Sequence, residues 1–312
     1  MKTVLVTGGA GFLGSHLCDR LIEKKYRVIC LDNLITGSER NIKHLLKNNN
    51  FKFIKADVTG DLDLNLKLDY IFHLASPASP IDYQNHPEET ALANSLGTLK
   101  MLRLAVKNKA RFLLASTSEI YGDPKEHPQK ESYWGNVNSY GPRSCYDESK
   151  RFAEALVYLF IHKYNLDVRI IRIFNTYGPR MQKDDGRAVS SFINQALDGK
   201  PLTIYGRGNQ TRSFCYYSDL INGIEKVMFE EGLKGEIFNL GNPNESKIIE
   251  LAKLIISLTN SKSEIQYLPL PKDDPARRRP DITKAKKLLS WEPIVDISEG
   301  LKKTIEYYRN EK

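Results

Sequence analysis

The chain has 312 residues, 41% hydrophobic and 27% charged, with a net charge of +8. This is an ordinary globular composition near the size at which a single core stops growing, so a large domain with a smaller companion is expected. Several classes are excluded: no apolar run approaches about 18 residues, so no membrane span; no block of like charges marks a nucleic-acid tract; and four scattered cysteines (Cys18, Cys30, Cys145, Cys215) and six histidines show no disulfide or metal-ligand spacing.

In chain order, "KTVLVT" (2–7) reads as a short apolar strand, too short for a secretory leader, so a cytoplasmic protein is expected. "FLGSHLCDRLIEKK" (12–25) reads as a helix, "RVICLD" (27–32) as a second strand, "FKFIKAD" (51–57) as a third and "DYIFHLA" (69–75) as a fourth. Leu92, Leu96, Leu99, Leu102 and Val106 recur at helical spacing; "ARFLLAST" (110–117) is a fifth strand. A long helix over 144–165 and a sixth strand over 167–175 follow. Strands alternating with helices predict an α/β fold, a parallel sheet covered on both faces.

Beyond Asn175 the pattern loosens. "TYGPRMQKDDG" (176–186) and the Pro-rich "LPLPKDDPARRRPD" (268–281) read as loops, and helical periodicity returns at Ile248, Leu251, Ile255 and Leu258 and at Ile297, Leu301, Ile305 and Tyr308. A cofactor domain over 1–175 and a smaller, partly interleaved mixed α/β lobe over 176–312 are expected.

"VTGGAGFLGS" sets Gly8, Gly11 and Gly14 between the first strand and the first helix. This Rossmann-type, doubly wound arrangement makes a tight turn, lets backbone approach a pyrophosphate and aims a helix N-terminus at it. Asp32 ends the second strand, where a carboxylate accepts hydrogen bonds from the adenosine ribose and repels a 2′-phosphate, favouring NAD over NADP. Asp57, ending the third strand, is placed to reach the adenine edge.

In "CYDESKR" (145–151), Tyr146 and Lys150 lie one helical turn apart. A free phenol is a poor base at neutral pH; an adjacent ammonium and a positive nicotinamide are expected to lower its pKa so that it can take a proton from a substrate hydroxyl.

With the glycine loop, Asp32, "ASTSEIYG" (115–122) and Y-x-x-x-K, nearly the whole chain resembles the extended short-chain dehydrogenase/reductase family. "HLASPASPIDY" (73–83), "GPRSCYDESKR" (141–151), "RIFNTYGPRM" (172–181), "QTRSF" (210–214) and "DDPARRRPDI" (273–282) are similar to the UDP-glucuronate decarboxylases, or UDP-xylose synthases. Arg207, "NSY" (138–140) and Ser149 depart from the commonest pattern of that group. The resemblance implies NAD-dependent decarboxylation of UDP-glucuronate to UDP-xylose through a 4-keto sugar. The same-scaffold alternatives are a UDP-sugar 4-epimerase and a 4,6-dehydratase.

For the residues, the resemblance implies Tyr146 as base with Lys150 on the nicotinamide ribose, Thr117 and Ser118 near the reacting oxygen, Glu119 on the sugar ring or a water, and Arg278 on the sugar carboxylate. Arg277 and Arg279 are then surface charges. Phe12, Leu13, Asn33, Gly37, Val58, Leu74, Ser76 and Thr90 complete the cofactor contacts. Tyr83, Asn175, Arg180, Tyr205, Gln210 and Arg212 are implied for the UDP-sugar, and a homodimer for the helices carrying Leu92–Val106 and Tyr146–Phe160. No metal, nucleic acid or membrane partner is implied.

Overall fold

The structure is a computed structural model that describes residues 1–62, 67–270 and 277–311. The expected loop over 268–281 falls partly outside these residues, as do Asp273 to Ala276 of "DDPARRRPDI".

Seven strands form one parallel sheet: β1 (Thr3–Thr7), β2 (Arg27–Asp32), β3 (Phe51–Lys55), β4 (Tyr70–His73), β5 (Arg111–Thr117), β6 (Val168–Ile173) and β7 (Ile237–Leu240). Their spatial order is β7-β6-β5-β4-β1-β2-β3. Register is tight: Val4 pairs with Val28 on one side and with Tyr70 on the other. Chain direction across the sheet reverses at β1, the switch point outside which ligands bind in doubly wound folds.

Strand side chains alternate between faces, so each strand supplies two cores. Val4, Val6, Val28, Cys30 and Phe72 pack on one side with Leu17 and Leu21 of α1 (Phe12–Glu23). Leu5, Ile29, Ile71, Phe112 and Leu114 face the other side, against Met101 and Leu102 of α2 (Thr98–Asn108) and Ala153 and Val157 of α3 (Ser144–Tyr164). Helix α3 stops where Asn165 turns left-handed at φ 53°, a conformation asparagine tolerates.

A third core holds the C-terminal part. Phe192 and Ile193 of α4 (Ala188–Leu197), Leu251 and Ile255 of α6 (Ile248–Thr259) and Leu301 and Ile305 of α7 (Ile297–Asn310) pack together. Between α4 and α6 in sequence, α5 (Tyr217–Phe229) lies instead on the sheet, where Leu220, Ile224 and Val227 join the first core.

Several elements differ from the sequence expectation. The leucine repeat from Leu92 is a helix Pro87–Leu92, a π turn Ala93–Gly97 and then α2. The wide turn shifts the phase, so Leu92 and Leu96 stay exposed while Leu102 is buried. Helices α4 and α5 and strand β7 carried no expectation. Thr176–Tyr177 is a short strand on Cys215–Tyr216, inside the segment read as a loop.

Candidate active site

A cavity of about 1080 Å³ runs along the C-terminal ends of the sheet strands. Gly8 follows β1, Asp32 ends β2, Asp57 follows β3, Leu74 follows β4, Thr117 ends β5 and Asn175 follows β6, and all six line it. Every residue expected at the site lines this cavity except Thr90. Thr90 is fully buried, and its hydroxyl donates to the His86 carbonyl of the preceding turn instead.

At one end lies the glycine loop. Gly8 has φ +69°, and a Cβ there would sit 2.8 Å from the Ala75 nitrogen. A Cβ on Gly14 would sit 2.0 Å from the Gly8 carbonyl oxygen. Helix α1 begins at Gly11 with no side-chain cap, so its first N–H groups face the cavity edge formed by Phe12, Leu13 and Gly14. These residues fit a dinucleotide pyrophosphate.

The Asp32 carboxylate is fixed by the backbone N–H groups of Ala10 (2.9 Å) and Leu34 (2.8 Å). Gly37 covers it so closely that a Cβ would come within 2.8 Å of an Asp32 oxygen. Burial raises its pKa, and the hydrogen bonds from Leu34 and Ala10 oppose that. For Asp57, burial also acts upward, but donors on Thr59 and Asn33 outweigh it and hold the carboxyl low. Val58 and Ser76 complete this wall.

Tyr146 and Lys150 are both buried on the first turns of α3. The Tyr146 ring stacks on Tyr83, centroids 5.0 Å apart, and Thr117 borders its side chain in the cavity wall, its own hydroxyl accepting from the Glu119 N–H at 3.1 Å. Lys150 Nζ is 5.9 Å from the Tyr146 ring and donates to the Ala115 carbonyl at 2.9 Å. The electrostatics differ from the expectation of an acidified phenol. Burial raises the Tyr146 pKa, and the neighbouring Thr117 hydroxyl only partly offsets it. Burial likewise lowers Lys150 to about 7. The protein's own groups therefore do not ionise the phenol.

Next to this pair, Glu119 is gripped from two sides: Arg278 Nη1 donates to Oε1 and Arg143 Nη2 to Oε2. Burial alone would raise Glu119, yet the Arg278 and Arg143 charges hold it down to about 2. Arg278 also donates to the Gly122 carbonyl (3.1 Å), while its buried Nε has no partner among the described residues. Behind Arg143, the Asp147 carboxylate lies 3.8 Å from its Nε. Burial first, then the Glu119 charge, push Asp147 up to about 7, and its buried Oδ1 has no partner among the described residues.

Arg212 and Arg278 pair on a small sheet made by Thr211–Ser213, Glu245–Lys247 and Arg277–Arg278. Gln210 donates to the Tyr205 carbonyl beside it (2.7 Å). Arg180, in a left-handed backbone conformation (φ 67°), ion-pairs with Asp19 of α1 at 2.7 Å. Asn175 and Ser118 line the cavity between these ends. Among the described residues, no His, Cys, Asp and Glu cluster could hold a metal ion.

Comparison with known proteins agrees with this arrangement. The NAD dependent epimerase/dehydratase family model matches residues 4–241. The chain belongs to this family. UDP-glucuronic acid decarboxylase 1 of Danio rerio is 53% identical over 310 residues, 99% of this chain and 73% of that protein. UDP-glucuronic acid decarboxylase 4 of Arabidopsis thaliana is 52% identical over 306 residues, 98% of this chain and 68% of that protein. Among solved structures, the UDP-glucuronic acid 4-epimerase of Bacillus cereus, in complex with UDP-glucuronic acid and NAD, is 30% identical with a TM-score of 0.91, covering 99% of this chain and 100% of that one.

Against that family background, the departures noted in sequence lie away from the cavity. Arg207 is exposed and does not line it; Ser149 accepts a hydrogen bond from Asn94 of the π turn (3.0 Å). Arg277 is exposed, but Arg279 is half-buried within 4.0 Å of Glu245 rather than a plain surface charge. Three cavity arginines were missed, Arg40, Arg143 and Arg187. Arg187 forms an ion pair with Asp185, its Nε donating at 2.7 Å, and Arg143 grips Glu119. Position alone could have flagged Arg143, which lies one helical turn before Tyr146.

Proposed function

We propose that the protein removes the carboxyl group of UDP-glucuronate as CO2 and forms UDP-xylose through a 4-keto sugar, with NAD as cofactor. The observation that carries this reading is the buried guanidinium of Arg278 in the cavity wall, beside Glu119 and the Tyr146 phenol. A 4-epimerase or a 4,6-dehydratase of neutral hexoses has no use for a group that holds a carboxylate; a uronate 4-epimerase does, and release of CO2 separates it from a decarboxylase. The named decarboxylases at 52–53% identity support the same reading.

A carboxylate on C5 cannot leave while the carbanion it would form has no acceptor. NAD held by the glycine loop and Asp32 would supply a hydride acceptor for C4 that later gives the hydride back; with C4 as a ketone the sugar is a β-keto acid whose CO2 loss gives an enolate. Tyr146 takes the C4 hydroxyl proton and afterwards donates to the enolate oxygen. Stacking on Tyr83 keeps the phenol in place, and Lys150, anchored on the Ala115 carbonyl beside it, would donate to the nicotinamide ribose. Glu119, ionised at neutral pH, serves as an acceptor that orients the sugar or a water rather than as an acid. Arg278 steadies the departing carboxylate. Residues 1–175 carry the cofactor end, and residues 176–312 supply most of the UDP-sugar end, including Arg180, Tyr205, Gln210 and Arg212.

Incubation with UDP-glucuronate and NAD⁺ should release CO2 and yield UDP-xylose. UDP-galacturonate would mean epimerisation, and intact substrate would sink the reading. Tyr146→Phe should abolish CO2 release and leave NAD affinity within about twofold; residual turnover near the parent rate would remove Tyr146 from its role.

Two further features belong to this reading. Leu92, Leu96, Phe152 and Leu159 leave apolar surface exposed on adjoining helices, which supports a homodimer, testable by sedimentation. All four cysteines are free thiols, which supports a reducing compartment such as the cytosol. Among the described residues, no helix is long and apolar enough to cross a membrane.

A further inference from the structure

We propose that Arg143 is a specificity-determining residue: its charge, set against Asp147, makes this cavity wall accept a sugar acid in preference to a neutral sugar. The inference rests on the decarboxylase reading and concerns the same site.

Four linked ionisable side chains stand beside Tyr146: Glu119, Arg143 and Arg278 line the cavity and Asp147 lies behind Arg143, while Lys150 and the Arg187–Asp185 pair border the same phenol. Arg278 comes from the strand Arg277–Arg278, Glu119 from the turn after β5, and Arg143 and Asp147 from the start of α3. Each guanidinium takes one oxygen of the same carboxylate, so the two are spaced to face a carboxyl group between them. Arg143 also lies over the Tyr83 ring, its Cζ 6.0 Å from the centroid, and Tyr83 stacks on Tyr146. This brings the guanidinium to the ring pair that borders the reacting sugar. Its Nε faces Asp147 at 3.8 Å, and Glu148 is the next charged group to act on that carboxylate.

The charge count decides the outcome. Beside Lys150 and the Arg187–Asp185 pair, which every variant keeps, Arg143, Arg278, Glu119 and Asp147 together carry +1 when Asp147 is protonated and 0 when it is ionised. A uronate carboxylate adds −1. Without Arg143, the same four positions carry one positive charge fewer before the substrate arrives, and a desolvated carboxylate is held less strongly. A neutral hexose feels none of this. The asymmetry runs the other way at Asp147: removing that carboxyl's charge makes the wall more positive and strengthens uronate binding. Asp147 therefore opposes Arg143, and the two substitutions have opposite signs.

The test compares UDP-glucuronate with UDP-glucose by calorimetry at pH 8 on the NAD-loaded protein, using the parent, Arg143→Gln and Asp147→Asn. Arg143→Gln should weaken UDP-glucuronate at least about tenfold, the effect of a lost buried charge contact, and UDP-glucose less than twofold. Asp147→Asn should tighten UDP-glucuronate alone. Equal losses for both sugars in Arg143→Gln, or no loss for either, overturn the proposal. Should Arg143→Gln fail to hold NAD, Asp147→Asn decides: selective tightening upholds the idea and unchanged affinity overturns it. A parent protein that releases no CO2 from UDP-glucuronate overturns the decarboxylase reading itself. Release by the parent, with the uronate preference kept in Arg143→Gln, overturns only this inference.

Discussion

Replacing Glu119 with glutamine keeps the shape of the side chain and removes its charge. In the parent, burial pushes this carboxyl up, but Arg278 and Arg143 reverse the shift and bring it from the ordinary 4.5 to about 2. A depression of that size corresponds to roughly 3 kcal/mol of stability at neutral pH. Because the folded pKa is the lower one, that stability is fully present above pH 4.5 and is lost as the pH falls toward 2. Glu119→Gln should therefore lose roughly 3 kcal/mol at pH 7, or about 4–5 °C in Tm for a chain of this length. The gap from the parent should shrink to about half near pH 3, where the unfolded parent has taken up its proton. Urea unfolding at pH 7, 5 and 3, with equal slopes in both proteins, measures this. A gap that stays constant from pH 7 to pH 3, or is missing at pH 7, refutes an ionised carboxylate held by two guanidiniums. A second readout is Asp147: with Glu119 neutral, one of the groups holding its carboxyl near 7 is gone, and its titration by carbon NMR should move to lower pH.

Two other substitutions probe the cofactor end. Gly14→Ala places a methyl group 2.0 Å from the Gly8 carbonyl oxygen, and that backbone cannot yield without moving helix and loop apart. NAD affinity by fluorescence titration should drop at least about tenfold, with overpacking costing about 1–3 kcal/mol of stability; unchanged affinity would mean that α1 can retreat freely. Asp32→Ala should weaken NAD and narrow the NAD-to-NADP preference by at least about tenfold, measured as the ratio of their dissociation constants. A preserved ratio would place cofactor selection elsewhere.

Much of this was legible in the chain. The first six sheet strands read directly as short apolar runs because both faces of a parallel sheet are buried. The glycine loop was legible because Gly8, Gly11 and Gly14 sit between a strand and a helix. Strand β7 was not: "IFNL" is only four residues and gains its meaning from pairing with β6, far away in sequence. Helix α5 was obscured by Asn222 and Gly223 in its middle; Gly223 is there because a Cβ would meet the Trp291 ring at 2.9 Å. At the site, residue types and order located the cavity lining, yet the electrostatics were not visible. Burial, which no spacing rule reports, turns the expected acidic phenol into one raised in pKa and lowers its lysine neighbour. The ion pair between Glu119 and Arg278 joins residues 159 positions apart, so it too could not be read locally.

The position of β7 has a consequence for synthesis. Its four residues cover the edge of β6, but they leave the ribosome more than sixty residues after that strand is complete. Until then the nascent chain presents a bare row of amide and carbonyl groups on Val168–Ile173, a template for pairing with another polypeptide. A nascent fragment ending before residue 237 should thus clump where the finished chain stays dispersed, and any slow codons or chaperone contacts that help this protein would act in that interval.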